Sequence, residues 1–161
     1  MTSIRIARKI VETCKQKKLL VCGAESCTGG LVSSIITKVP GCSHVFAGSI
    51  VSYANSVKQS VLGVSESILE QYGAVSEACA HAMALGTQHL FKSDISFAIT
   101  GIAGPGGGTR EKPVGTVWFS VIYTGTVCKT WHRLFKGSRT AIQKQSAREM
   151  LKALLAIVDK I

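Results

Sequence analysis

The chain has 161 residues, of which 46% are hydrophobic and 17% charged, with a formal net charge of +10. That length and apolar content suit one domain with a sizeable buried core and exclude an intrinsically disordered chain. No apolar run reaches membrane-spanning length, and the basic, amphipathic N-terminus lacks the apolar core and small-residue cleavage site of a signal peptide, so a soluble cytoplasmic protein is expected.

Apolar residues at Ile6, Ile10, Val11 and Cys14 have helical spacing and predict a helix over Ser3 to Lys17. "KLLVCGAE" reads as a short buried strand ending at Gly23 or Ala24, and "GGLVSSIITKV" as a helix stopped by Pro40–Gly41. "FAGSIVSYA" is rich in β-branched and aromatic residues and predicts a strand. "NSVKQSVLGV" predicts a short helix with Asn55 or Ser56 at its N-cap and Gly63 near its end. "SESILEQYG" predicts another, with Ser65 able to cap it, and "SEACAHAMALGTQHLF" a longer one with Ser76 as N-cap and Glu77 in the first turn. "SDISFAITG" is a strand, followed by the glycine- and proline-rich loop "IAGPGGGTREKPVG". "TVWFSVIY" and "VCKTWHRLF" form an antiparallel hairpin across Thr124–Gly125–Thr126. "SRTAIQKQSAREMLKALLAIVDKI" closes the chain as a long amphipathic helix, with Ile142, Ala147, Met150, Leu151, Leu154, Leu155 and Val158 on one apolar face that could also make a homodimer. Strands mixed with helices and one late hairpin imply an α/β fold: a single three-layer α/β/α domain over residues 1–161, its mixed sheet covered on both faces.

The cysteines, Cys14, Cys22, Cys27, Cys42, Cys79 and Cys128, form no C-x-x-C pair, so free thiols in a reducing compartment are expected and a zinc site is not. Aspartate occurs only at Asp94 and Asp159 and H-E-x-x-H is absent, so neither a metal nor another cofactor is expected. Positive charge is densest toward the C-terminus, where Arg110, Lys112, Lys129, Arg133, Lys136, Arg139, Lys144, Arg148, Lys152 and Lys160 face only Glu111, Glu149 and Asp159. This suits a phosphorylated or otherwise anionic small molecule, or a merely solvated surface. Aromatics are 6% and no base-stacking motif is present, so nucleic acid is not the expected partner.

Two stretches invite chemistry. The glycine loop "GIAGPGGGTREKPVG" lacks the G-K-[ST] ending of a P-loop, and Thr109 stands where a G-x-G-x-x-G fingerprint would need its last glycine. Its backbone N–H groups could still meet an anion or an oxyanion, or the segment is a flexible surface turn. In "GAESCTGGLVSS", Ser26 follows a strand and precedes a helix, where the positive helix end would favour a nucleophile and its oxyanion. The stretch is not the G-x-S-x-G elbow, and Ser26 or Thr28 could simply be an N-cap. Cys27 is a rival nucleophile, because a helix N-terminus lowers a thiol pKa, or it is a buried small hydrophobe. The histidines, His44, His81, His89 and His132, have no evident acid to orient them. Lys58 is the only Lys or Arg between Lys38 and Lys92. Desolvated, it could act as the base for Ser26; otherwise it is an ordinary exposed helix lysine.

The stretches "AESCTGG", "SIVSYANSVKQSVLGV", "GAVSEACA", "ITGIAGPGGGTREKPVGTVWFSV" and "GSRTAIQKQSA", in that order across nearly the whole chain, resemble the CinA C-terminal domain family. Its enzymatic members are nicotinamide mononucleotide amidohydrolases. The resemblance implies a stand-alone bacterial deamidase that converts nicotinamide mononucleotide and water to nicotinate mononucleotide and ammonia in pyridine nucleotide salvage. It implies Ser26 as nucleophile, Lys58 as its partner, and Tyr53 and Thr100 as residues that orient the dyad or relay protons. Arg139 is implied to bind substrate, with Thr28, Gly29, Gly30, Gly101 and Gly104 as further binding positions whose backbone could hold the oxyanion. Some relatives carry Asp where this chain has Gly106, and a second basic residue where it has Gln143. The competing reading is a non-enzymatic competence- or DNA-damage-related module that binds a protein or nucleic acid.

Overall fold

The computed structural model describes every residue except Gly125, and of Val127 and Cys128 the backbone only. The elements are α1 (Ser3–Lys17), β1 (Val21–Glu25), α2 (Leu31–Thr37), β2 (Phe46–Val51), α3 (Asn55–Ser60), α4 (Glu66–Tyr72), α5 (Glu77–Phe91), β3 (Ile95–Gly101), β4 (Thr116–Tyr123), β5 (Thr126–Leu134) and α6 (Arg139–Val158). A 3₁₀ turn at Cys42–His44, not foreseen from the sequence, leads into β2.

The elements fall where hydrophobic periodicity puts them, with shifts at their ends. β1 starts at Val21 and runs through Glu25, past the expected stop at Gly23 or Ala24, because both Ala24 and Glu25 pair with strands on either side. α2 begins only at Leu31, after two glycines with positive φ, Gly29 (60°) and Gly30 (95°). Ser65 and Ser76 cap their helices as expected, accepting from the N–H groups of Ile68 and Cys79. Neither Asn55 nor Ser56 caps α3: the N-cap position is Ala54, with no side-chain cap, and Asn55 is the first helical residue. β4 and β5 pair as the expected antiparallel hairpin, while Gly125 of its turn lies outside the described residues.

The sheet order is β2-β1-β3-β4-β5, parallel through the first three strands and antiparallel beyond. It is therefore mixed, and helices cover both faces. One layer is α1, α2 and α6, which pack on one another and on side chains such as Phe97, Ile99, Val117 and Phe119. The other is built on α5, whose Cys79, Met83 and Ala84 pack with Ala24, Ala98 and Ile122. Gly86 lets α5 approach the α3–α4 connection, because a Cβ there would run into the Leu62 carbonyl. The apolar face of α6 is consumed in this core: Ile142, Ala147, Met150, Leu151, Leu154 and Val158 are all buried, and Leu155 is half-buried against them. The polar faces of α1 and α6 turn outward and expose Arg5, Arg8, Lys9, Lys144, Arg148 and Lys152.

Connectivity fixes where a site can form. The chain leaves the C-terminal end of β1 toward α2 on one face. It leaves the neighbouring end of β2 through α3 and α4 toward α5 on the other. Two adjacent parallel strands whose connections diverge open a crevice at their carboxyl ends. Ser26 follows β1 at this point, and Ser52 and Tyr53 follow β2.

Candidate active site

Ser26 is the first residue past β1. Its N–H donates to the Ile99 carbonyl of β3 at 2.9 Å, and its carbonyl accepts from Gly29 N–H at 3.0 Å, so the turn is fixed at once. It is not the helix cap, and it does not sit at the positive end of α2. That end lies five residues on and is occupied by Glu25, whose carboxylate accepts from the N–H groups of Gly30 (3.1 Å), Val32 (3.1 Å) and Ser33 (2.9 Å) and from the Ser33 hydroxyl (2.6 Å). Thr28 caps nothing either: its hydroxyl is buried with no hydrogen-bond partner among the described residues. The serine is therefore free for another contact.

That contact is Lys58. Its Nζ lies 3.0 Å from Ser26 Oγ, 2.6 Å from the Ser52 carbonyl oxygen and 3.3 Å from that of Tyr53. Lys58 is 1% exposed, and no carboxylate lies within salt-bridge distance of it among the described residues. Burial without a counter-charge lowers its pKa. A neutral amine has two N–H donors and one lone pair. The two carbonyls suit the donors and leave the lone pair for the Ser26 hydroxyl proton.

Cys27 does not fit the part of rival nucleophile. It is 5% exposed, and burial pushes its thiol up to about 12, opposite to the lowering expected from a nearby helix end. The reason is local, since Glu25 rather than Cys27 faces the α2 N-terminus. The other described cysteines, Cys14, Cys22, Cys42 and Cys79, are likewise free thiols, while the side chain of Cys128 lies outside the described residues.

Ser26 and Lys58 open into a cavity of about 280 Å³ whose walls include Tyr53, Thr100, Arg139 and the segment from Gly101 to Gly104. Thr100, 1% exposed, donates its hydroxyl to the Ala74 carbonyl at 2.8 Å, which leaves its oxygen lone pairs as acceptors. Arg139 opens α6 and spans the mouth: Nη1 donates to the Gly104 carbonyl (2.7 Å) and Nη2 to the Tyr53 hydroxyl (2.6 Å). The glycine loop is thereby tied down at Gly104, and Ile102 N–H holds it to the Thr116 carbonyl at 2.9 Å. A Cβ on Gly106 would meet nothing within 4 Å, so that position leaves open space in the cavity wall. Among the described residues, Lys58 and Arg139 are the only cations lining the cavity.

Thr28, Gly29 and Gly30 do not line it, and they belong to the turn that delivers Ser26. Three further contributors were given no part in the site from sequence, although Asn55 was named as a cap candidate and Gln143 as a departure from some relatives. Asn55 and Ala74 line the cavity, and Gln143 of α6 donates to the Cys27 carbonyl at 2.9 Å, bracing the same turn from the opposite layer. Glu25 is the fourth residue missed. A carboxylate just ahead of a glycine pair and a helix start was its signal. No three or more His, Cys, Asp or Glu side chains are grouped to hold a metal ion among the described residues, and no described helix is long and apolar enough to cross a membrane.

The family model of the CinA C-terminal domain matches residues 3–158. A nicotinamide-nucleotide amidohydrolase, PncC, from Enterobacter agglomerans is 49% identical over 133 residues, 83% of this chain and 81% of that protein. A CinA-like protein from Pseudothermotoga lettingae is 47% identical over 83% of this chain, which spans about a third (32%) of that longer protein. The crystal structure of a competence-damaged protein (CinA) superfamily member from Klebsiella pneumoniae 700603 superposes with a TM-score of 0.95 at 29% identity, covering 100% of both chains.

Proposed function

The chain belongs to the CinA C-terminal domain family, and from that premise we propose that it hydrolyses the carboxamide of nicotinamide mononucleotide to nicotinate mononucleotide and ammonia, in the cytoplasm, as a step of pyridine nucleotide salvage. The resemblance to the Enterobacter agglomerans amidohydrolase supports the substrate and the reaction. The observation that carries the mechanism is the buried Lys58 amine 3.0 Å from the Ser26 hydroxyl.

Neutral Lys58 takes the Ser26 proton as Oγ attacks the carboxamide carbon. Main-chain N–H groups of the 26–28 turn or of the Gly101–Gly104 segment meet the oxyanion. The Lys58 ammonium then returns its proton to the departing nitrogen, the C–N bond breaks, and ammonia leaves an acyl ester on Ser26. Lys58, neutral again, draws a proton from water, which attacks the ester; nicotinate mononucleotide leaves and Oγ recovers its proton. Thr100, with its hydroxyl proton held by Ala74, is oriented to accept from the substrate amide or from that water. Arg139, at the mouth, binds the phosphate, with the Tyr53 hydroxyl held beside it. Residues 1–161 act as one domain in this scheme. A homodimer would use a surface other than the buried face of α6, such as the shallow groove beside Ala153, Ala156, Ile157 and Ile161; light scattering on the purified protein tests it.

No observation favours the competing binding-module reading. A desolvated lysine held on a serine inside a cavity supplies chemistry and no interaction surface. The experiment is ammonia release from nicotinamide mononucleotide by the purified protein beside Ser26→Ala. Release that vanishes in the variant supports deamidation and its nucleophile together, release that survives removes Ser26, and no release from folded wild-type protein removes the substrate.

A further inference from the structure

Glu25 is fully buried, and no cation lies within salt-bridge distance of it among the described residues. Its charge is held by three backbone N–H groups and the Ser33 hydroxyl, all from the start of α2. Gly30, at the N-cap position of this seven-residue helix, has φ 95° and no side chain, so no local cap forms there. Reaching back to a buried glutamate does something a local cap cannot. It closes the 26–30 segment into a loop with both ends fixed, one by Ser26 N–H on the Ile99 carbonyl and the other by the Glu25 carboxylate. The Ser33 hydroxyl gives its one proton to Glu25, so the Ser49 hydroxyl, 2.6 Å away on β2, donates to Ser33 and ties the second strand to the same carboxylate. The Glu25 main chain serves the other partner of the site: its carbonyl accepts from Ser52 N–H at 2.9 Å, and the Ser52 carbonyl accepts from Lys58 Nζ at 2.6 Å. The contacts make a ring through Ser26, Glu25, Ser52 and Lys58 that returns to Ser26.

We infer that Glu25 is the positioning residue of the Ser26–Lys58 pair: its carboxylate holds the 26–30 turn in the conformation that sets Oγ on Nζ. It touches no substrate and transfers no proton. The inference rests on the proposed serine–lysine mechanism, in which a small misplacement of the reacting atoms costs rate more than binding.

Glu25→Gln keeps the shape but sets an NH₂ group against N–H donors. In the full chain, kcat for nicotinamide mononucleotide is expected to fall at least about tenfold while KM changes less than about threefold. Ser33→Ala, which removes one donor and the Ser49 link, gives a smaller loss with the same split. Ser65→Ala, which removes the ordinary cap of α4, lowers the thermal midpoint and leaves kcat alone. Amide exchange supplies a readout independent of substrate: Gly30, Val32 and Ser33 lose protection in Glu25→Gln while β1 and β3 keep theirs. Unchanged kcat and unchanged exchange in a folded Glu25→Gln overturn the inference, as does a loss that only tracks the folded fraction. If Glu25→Gln does not fold, a Ser33→Ala protein with wild-type kcat overturns it. If wild-type protein releases no ammonia, the deamidase reading fails, and exchange across 26–33 still decides whether Glu25 anchors the turn.

Discussion

Arg139 Nη2 donates to the Tyr53 hydroxyl at 2.6 Å, across 86 positions of sequence, while Nη1 of the same guanidinium holds the Gly104 carbonyl at 2.7 Å. One planar fork thus joins the start of α6, the segment after β2 and the glycine loop at the mouth of the cavity. A lysine has one compact charge and cannot keep both contacts. Arg139→Lys is expected to raise KM for nicotinamide mononucleotide about tenfold, with a smaller fall in kcat. With nicotinamide riboside, which lacks the phosphate, the loss should shrink to less than about threefold, as suits an exposed charge with no anion to bind. Steady-state kinetics on both substrates checks this, and equal losses on the two would mean that Arg139 acts on the loop and not on phosphate.

Cys27 sits beside Ser26 and takes no part in the proposed chemistry. With its thiol pushed up to about 12, the thiolate is scarce at neutral pH. Cys27→Ala should retain activity within about threefold, since the change removes one small buried atom. Iodoacetamide should inactivate the wild type no faster than it inactivates Cys27→Ala, at pH 7 and at pH 8 alike. Rapid inactivation that Cys27→Ala abolishes would return the thiol to the mechanism.

The packing of α5 on the α3–α4 connection depends on Gly86, where a Cβ would run into the Leu62 carbonyl. Backbone cannot yield as a side-chain tip can, so Gly86→Ala should destabilise the fold by about 1–3 kcal/mol despite the better helix propensity of alanine. Urea denaturation measures the difference. A variant as stable as the wild type would mean that the connection following the helix that carries Lys58 can shift away from α5 at little cost.

Much of the site was legible before the fold was known. Lys58 stood alone between Lys38 and Lys92, and the serine and glycine segments fell at the ends of predicted strands. Two strand-like runs separated only by Thr124–Gly125–Thr126 announced the β4–β5 hairpin. What stayed hidden was tertiary. Lys58 is buried with its Nζ on the Ser26 hydroxyl, brought from the end of β1, as well as on the nearby Ser52 and Tyr53 carbonyls that follow β2. The helix-dipole argument for Ser26 failed because Gly29 and Gly30 turn the chain through positive φ before α2 starts, and that lets a residue upstream of the serine take the helix end. No periodicity reports a cap that comes from behind. The same limit applies to α6, whose apolar stripe looks alike whether it meets a second copy or its own sheet; here it meets α1, α2 and the sheet.

In the proposed mechanism Lys58 couples activity to pH, with a sign that follows from its burial. The lowered pKa means that the folded protein binds its proton less readily than the unfolded chain, where the ordinary value of 10.5 applies. As pH falls below 10.5 the unfolded state gains a proton that the native state refuses, so stability drops until the lowered native pKa is reached, and then the drop stops. Wild-type stability relative to Lys58→Met should therefore rise with pH between the native pKa and 10.5, and stay level below that window. Urea midpoints across pH test this, and parallel curves for the two proteins would mean that Lys58 is charged in the native state. Activity should follow the same group: kcat/KM climbs as Lys58 loses its proton, on a limb below the ordinary lysine range, and Lys58→Met abolishes it. An acid limb at the ordinary lysine value would leave Lys58 protonated at neutral pH and unable to take the Ser26 proton.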